Sequence, residues 1–291
     1  MKRSFAFVWQ CAALWGMLLL ADAAMAQRRG GGPPGPLQQA ARLDHEGRGS
    51  EARAILQAFI DTVSDPAQKA QAYRRMAMSY AFEGDCANTI KYEQMVIDYW
   101  RTREEAEPQN AFFQQGEMAN EGARVCIDAG DLDMAEQWYR EGYELGLKEP
   151  EPRTHPKSLW EFRLAHALGR IAARRGDKAA AEQYVREARR ILDGDPAMAE
   201  QQERFYPYLV GYVALYTGDL ATAEEQFRKA IAMPGSQNDP FFHWLLATTL
   251  EKRGQKDEAE QLYRKAWDLA TANNPPAAFV KRTLRSKFGT P

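Results

Sequence analysis

The segments GDLATAEEQFRKAIAMP (218–234) and GQKDEAEQLYRKAWDLA (254–270) align without a gap at a period of 36 residues. Each has Gly, then Ala five residues on, an aromatic nine on and Ala twelve on: Gly218, Ala223, Phe227, Ala230 and Gly254, Ala259, Tyr263, Ala266. The same offsets recur upstream at Gly47, Ala52, Leu56, Phe59, at Gly130, Ala135, Tyr139, Gly142, and at Gly176, Ala181, Val185, Ala188. A weaker copy runs through Gly84, Thr89, Glu93 and Val96, which makes six units. Before each Gly a second stretch is mostly apolar or small at offsets −11, −8, −7 and −4, as in Tyr73, Met76, Ala77, Tyr80 before Gly84 and Ala165, Leu168, Gly169, Ala172 before Gly176. Steps of three, four and seven residues fall on one helical face. Each unit therefore predicts helix, tight turn at Gly, helix, with small residues where the two helices come close.

This pattern resembles the tetratricopeptide repeat, whose signature is an aromatic, Leu-Gly, Tyr, then Ala, an aromatic, Ala and a closing Pro. The resemblance covers residues 37–272 and implies an all-α fold: a right-handed α-solenoid of about six helix-turn-helix units, with first helices lining a concave side. Gly-to-Gly spacings of 37, 46, 46, 42 and 36 depart from the family's usual length, which is about 34. The long gaps hold YWRTREEAEPQN (99–110) and KEPEPRTHP (148–156), which read as extended loops between units. Pro207 takes the aromatic position of the fifth unit, so the first helix there starts or kinks at it. Residues 273–291, NNPPAAFVKRTLRSKFGTP, break the pattern and predict a short helix capping the last apolar face.

The chain has 291 residues, 45% of them hydrophobic, enough for a substantial core. Its 38 basic and 40 acidic residues leave a formal charge of −2, so no global positive field points to nucleic acid. Residues 1–26 read MKRSFAFVWQCAALWGMLLLADAAMA: Lys2 and Arg3, an apolar run from Phe5 to Leu20, then Ala24-Met25-Ala26. This is the pattern of a secretory signal peptide cleaved after Ala26, its apolar run shorter than a membrane span. The expectation is an exported protein of a bacterial cell envelope, periplasmic or extracellular, and not an integral membrane protein after cleavage. Residues 27–36, QRRGGGPPGP, read as a flexible leader.

After that cut Cys86 and Cys126 remain, one near the start of a second helix and the other near the end of the following first helix. Antiparallel neighbours bring such ends together, so the pair predicts a disulfide, with two buried thiols as the alternative.

No catalytic chemistry stands out. His45, His155, His166 and His243 form no H-E-x-x-H, the cysteines no C-x-x-C, and there is neither a phosphate loop nor a nucleophile elbow. Neither a metal nor a cofactor is expected, and the reading is a non-catalytic protein–protein interaction scaffold. In the resembled family, offsets −10, −6, −3 and −2 from each turn Gly would face the groove. These give Arg74, Met78 and Phe82, then Asn120, Arg124, Ile127 and Asp128, and then His166, Arg170, Ala173 and Arg174. The last two units add Tyr208, Tyr212, Leu215 and Tyr216, then Trp244, Thr248, Glu251 and Lys252.

Arg forks onto carboxylates and Tyr joins apolar area to a hydroxyl, so the partner expected is a protein or peptide segment with acidic and apolar residues. Two alternatives stand beside it: a glycan or small ligand in the aromatic half, and side chains that only close helix packing. An uncapped end could also self-associate. Lys281, Arg282, Arg285 and Lys287 form a cationic run that reads either as a solvated capping helix or as a contact for an anionic surface.

Overall fold

Gly47, Gly84, Gly130, Gly176, Gly218 and Gly254 all take positive φ, between 76° and 92°, the left-handed conformation that ends a helix and that glycine adopts at least cost. After four of them comes an aspartate that starts the next helix. Asp85, Asp131, Asp177 and Asp219 accept hydrogen bonds from the backbone N–H of Asn88, Met134, Ala180 and Thr222 at 2.9, 3.2, 3.0 and 3.1 Å. The Gly-Asp pair thus satisfies a helix end and a helix start within two residues.

A computed structural model describes residues 34–289. The expected signal segment 1–26 and residues 27–33 of the leader lie outside the described residues. Among those described there are fourteen α-helices and no strand. Six antiparallel pairs flank the six glycines: α1 (Pro36–Glu46) with α2 (Gly49–Thr62), α3 (Pro66–Ala81) with α4 (Cys86–Arg101), and α5 (Pro108–Ala129) with α6 (Leu132–Leu147). They continue as α7 (Lys157–Arg174) with α8 (Lys178–Gly194), α10 (Phe205–Thr217) with α11 (Leu220–Ala232), and α12 (Pro240–Lys252) with α13 (Lys256–Leu269). A short α9 (Pro196–Gln202) bridges the fourth and fifth pairs, and α14 (Pro275–Phe288) ends the chain. None of these helices is long and apolar enough to cross a membrane.

The small residues are where the repeat pattern wants them. Ala52, Ala135, Ala181 and Ala223 are fully buried, as are Leu56 and Phe227. The closest approach joins α5 to α6, where a Cβ on Gly142 would lie 2.9 Å from the Gly116 carbonyl oxygen. Trp160 of α7 closes the same junction, its ring against both Gly116 and Gly146.

Two expectations about connections are refined. The stretch 99–110 is half helix: Tyr99–Arg101 finish α4 and Pro108 begins α5, leaving a turn over 102–107. Proline opens a helix without loss because its missing N–H would have no partner there. The stretch 148–156 is a loop, pinned by Arg153, whose guanidinium donates to the carbonyls of Gly146, Leu147 and Glu149 at 2.7, 3.1 and 2.7 Å. Pro207 falls in the first turn of α10, so the fifth unit starts there rather than kinking.

Cys86 and Cys126 are joined in a disulfide with Cα atoms 4.8 Å apart, closing a 40-residue loop. In the chain-entropy picture such a loop contributes about 4 kcal/mol.

The weak second copy has a physical cost at Glu93, which occupies the aromatic position of α4 and is fully buried. Beside it Glu121 is gripped by Arg74 through two bonds of 3.1 and 2.9 Å. Burial, and then the Glu121 charge, push the Glu93 carboxyl well above the usual range. A folded pKa above the unfolded one means stability that is complete below the ordinary value of 4.5 and lost as pH rises toward the folded value. Glu93→Gln is therefore expected to raise stability at pH ~8 by about 1–3 kcal/mol, with little effect at pH ~4. Urea unfolding at the two pH values measures this.

Candidate functional site

The concave side divides into two regions of opposite character. In the N-terminal half it is filled by the chain itself. Helix α14 packs on α12 and α13 as a cap would, and it also reaches α3 and α5. Its buried face is Ala277, Ala278, Phe279, Val280 and Leu284, within one apolar cluster with Met78, Phe82 and Ile127. Those last three are groove positions by the sequence register, so α14 is the occupant of that part of the groove.

All four cations of the terminal run have partners within the fold, which corrects the picture of a solvated or surface-facing cluster. Arg282 pairs with Asp128 and Arg285 donates to the Asp44 carbonyl at 3.0 Å. Lys287 pairs with Glu260, and Lys281 lies over the Trp267 ring at 3.6 Å. The two guanidiniums rest on bare turn glycines: a Cβ on Gly84 would meet Arg282 at 2.8 Å and one on Gly47 would meet Arg285 at 2.8 Å.

The receiving surface is tuned to them. Asp44, pushed up to about 7 by burial, accepts from Ser79 at 2.6 Å. His45 is pushed down to about 4 by burial and by Lys281 and Arg285, so at neutral pH it adds no repelling charge beneath α14.

The middle of the concave side carries the other character. Arg170, with 5% exposure, donates to the Tyr139 hydroxyl at 2.8 Å, the Tyr208 hydroxyl at 3.1 Å and the His166 carbonyl at 3.3 Å. Arg174 donates to the Tyr212 hydroxyl at 3.3 Å and lies 5.0 Å over the half-exposed Tyr216 ring. Arg124 is close enough for its charge to act on His166, Tyr208 and Asp239. His166 is held well below its ordinary pKa by burial and then by Arg170, and its Nε2 meets the Phe205 carbonyl at 3.2 Å.

No ion pair is formed by Arg124, Arg170 or Arg174 among the described residues. Burial also raises Tyr208 and, further, Tyr212, so both hydroxyls keep their protons. The Tyr139, Tyr208 and Tyr212 oxygens already accept from an arginine, and each keeps its O–H to offer.

Six of the ten expected groove residues thus converge: Arg124, His166, Arg170, Arg174, Tyr208 and Tyr212, with Tyr216 at the rim as a seventh. Three do not join them. Arg74 is spent on Glu121. Asn120 is buried against α6, its Oδ1 2.5 Å from where a Cβ on Gly142 would stand. Trp244 stacks on Phe241 at 5.4 Å, half-buried in the packing of the last pair.

Residues 245–272, the C-terminal part of α12 with α13, match the family model described as tetratricopeptide repeat. By that match the sixth unit is a tetratricopeptide repeat. Five further helix pairs turn at left-handed glycines in the same way. Two solved structures of kinesin light chain TPR-like repeats from Podosopora anserina, one of them a point variant, are similar to it at 14% identity. Each covers 80% of this chain and 92% of its own, with TM-scores of 0.36 and 0.38. Likeness this loose carries no argument about shape or function. No curated protein matches this chain.

The sequence pattern does not mark Tyr139 as a site residue, nor does it show the pairing role of Asp128. Tyr139 sits on a second helix at the repeat's aromatic position, which marks it only for packing. Asp128 does occupy a groove offset, and the cation that reaches it lies 154 residues on.

Proposed function

We propose that this chain is an exported, non-catalytic scaffold that holds an acidic segment of a partner protein against the arginine–tyrosine basin of its third to fifth units. The observation that carries the reading is that Arg124, Arg170 and Arg174 form no ion pair among the described residues, while the carboxylates near them, Asp128, Asp239 and Glu121, are engaged with other groups or buried. With the Tyr208 and Tyr212 oxygens already accepting from arginine, an acceptor such as a carboxylate is the complement.

Burying Arg170 without a counter-ion is costly in the free chain, and a ligand anion would offset that cost. Export is supported by the signal-type pattern of residues 1–26 and by the pairing of the two remaining cysteines. The glycan alternative has less to stand on, because Tyr208 and Tyr212 are buried in packing and only Tyr216 is open.

The test uses a labelled hexaglutamate peptide and fluorescence anisotropy at low salt. The wild-type chain is expected to bind it saturably. Arg124→Glu combined with Arg174→Glu should weaken binding by about tenfold or more, with helix content unchanged. Arg170 is left alone because reversing a buried charge would unfold the chain. Equal binding by a folded variant would overturn the proposal.

A further inference from the structure

Asp128 stands between the two halves of the concave side. It lies near the C-terminal end of α5, and Arg282 of α14 pairs with its carboxylate while also reaching its carbonyl oxygen at 3.5 Å. Arg174 approaches the same helix end from the basin: a Cβ on Gly130, two residues beyond Asp128, would lie 3.9 Å from the Arg174 Nη2. The charges of Arg282 and Arg174 both act on the Asp128 carboxyl, which is buried. One carboxylate therefore has two guanidiniums to choose from, and in the folded chain it is taken by the one on the terminal helix.

We infer that Asp128 is a shared counter-ion, and that docking of α14 keeps the basin positive by holding Asp128 on Arg282 and away from Arg174. The inference rests on the proposed function, since it describes how the same basin is regulated. When α14 is docked, Arg174 keeps only the Tyr212 hydroxyl and the Tyr216 ring and is available to an incoming anion. When α14 leaves, Asp128 loses its partner and Arg174 is the cation beside it. The pair that forms removes one positive charge from the basin.

Anion binding and α14 docking are then coupled with positive sign, and the coupling is reciprocal: the ligand must tighten α14 by the factor by which α14 tightens the ligand. The Cys86–Cys126 bridge holds this junction together, with Cys86 two residues after the glycine on which Arg282 rests and Cys126 two residues before Asp128.

A mutant cycle with the hexaglutamate peptide on the full oxidised chain tests the inference. Arg282→Gln should weaken binding about fivefold or more, because Asp128 is freed to capture Arg174. Asp128→Asn alone should stay within about twofold of wild type, and Arg282→Gln with Asp128→Asn should return to within about twofold of it. Lys287→Gln, which removes a charge from the same helix at its Glu260 contact, controls for net charge and should bind like wild type.

Wild-type affinity in Arg282→Gln, or a double variant as weak as Arg282→Gln, would overturn the shared counter-ion. Absence of saturable binding by the wild-type chain would instead overturn the proposed function and this coupling with it.

Discussion

Trp160→Ala is expected to lower stability by about 3–5 kcal/mol. The ring is fully buried and does more than fill space. It lies against two glycines on two different helices, Gly116 of α5 and Gly146 of α6, where an added Cβ would stand 2.5 and 2.1 Å from ring atoms. Removing it leaves a hole at the junction of the third and fourth units, bounded by backbones that already touch at Gly116 and Gly142 and so cannot collapse further.

Trp160 joins the third unit to the fourth, so the damage should appear first as loosening among α5, α6 and α7, while α14 still ties the sixth unit to the second and third. The indole N–H has no hydrogen-bond partner. Trp160→Phe keeps most of the apolar body and discards an unsatisfied donor, and it should cost less than half as much. Urea unfolding followed by circular dichroism separates the outcomes. A Trp160→Ala chain as stable as wild type would mean that the junction is not packed as described.

Much of the architecture was legible in the sequence because repeat geometry is local. Glycine at a left-handed turn, alanine at each helix contact and an aromatic four residues later depend on residues within one unit, and all six glycines take the expected conformation. The Gly-Asp pairs at 84–85, 130–131, 176–177 and 218–219 are a second local signal that fixes where each second helix begins. The disulfide was readable for the same reason, since both cysteines lie at helix ends that adjacency brings together.

The site was only partly legible. Offsets from the turn glycine name the residues on the concave side, and six of them do converge. What offsets do not reveal is which of those positions another part of the chain covers. Met78, Phe82, Ile127 and Asp128 read as open groove, yet α14, more than 140 residues beyond them, packs or pairs with them. The cationic run looked solvated because its acceptors, Asp128, the Asp44 carbonyl and Glu260, are scattered over three units. The contrast between an Arg–Tyr basin whose guanidiniums form no ion pair among the described residues and an acid-lined seat filled by a basic helix is a property of the closed fold, invisible in a net charge of −2.

The terminal helix returns to the first three units and locks there through Arg282 and Arg285. Reversing both charges places Glu beside the buried Asp128 and removes the donor from the Asp44 carbonyl. The Arg282–Asp128 pair is half-buried, so each reversal is expected to cost about 1–3 kcal/mol, and together they undock α14 without touching the helices that receive it. Backbone hydrogen exchange on the intact, disulfide-bonded chain reads this directly, because exchange follows the free energy of local opening.

In the wild-type chain the amides of residues 278–288 should exchange slowly, alongside those of α3 and α5. In Arg282→Glu with Arg285→Glu they should exchange about a hundredfold faster while α10 and α11 stay protected. Wild-type amides over 278–288 that exchange as fast as an unstructured peptide would contradict the account.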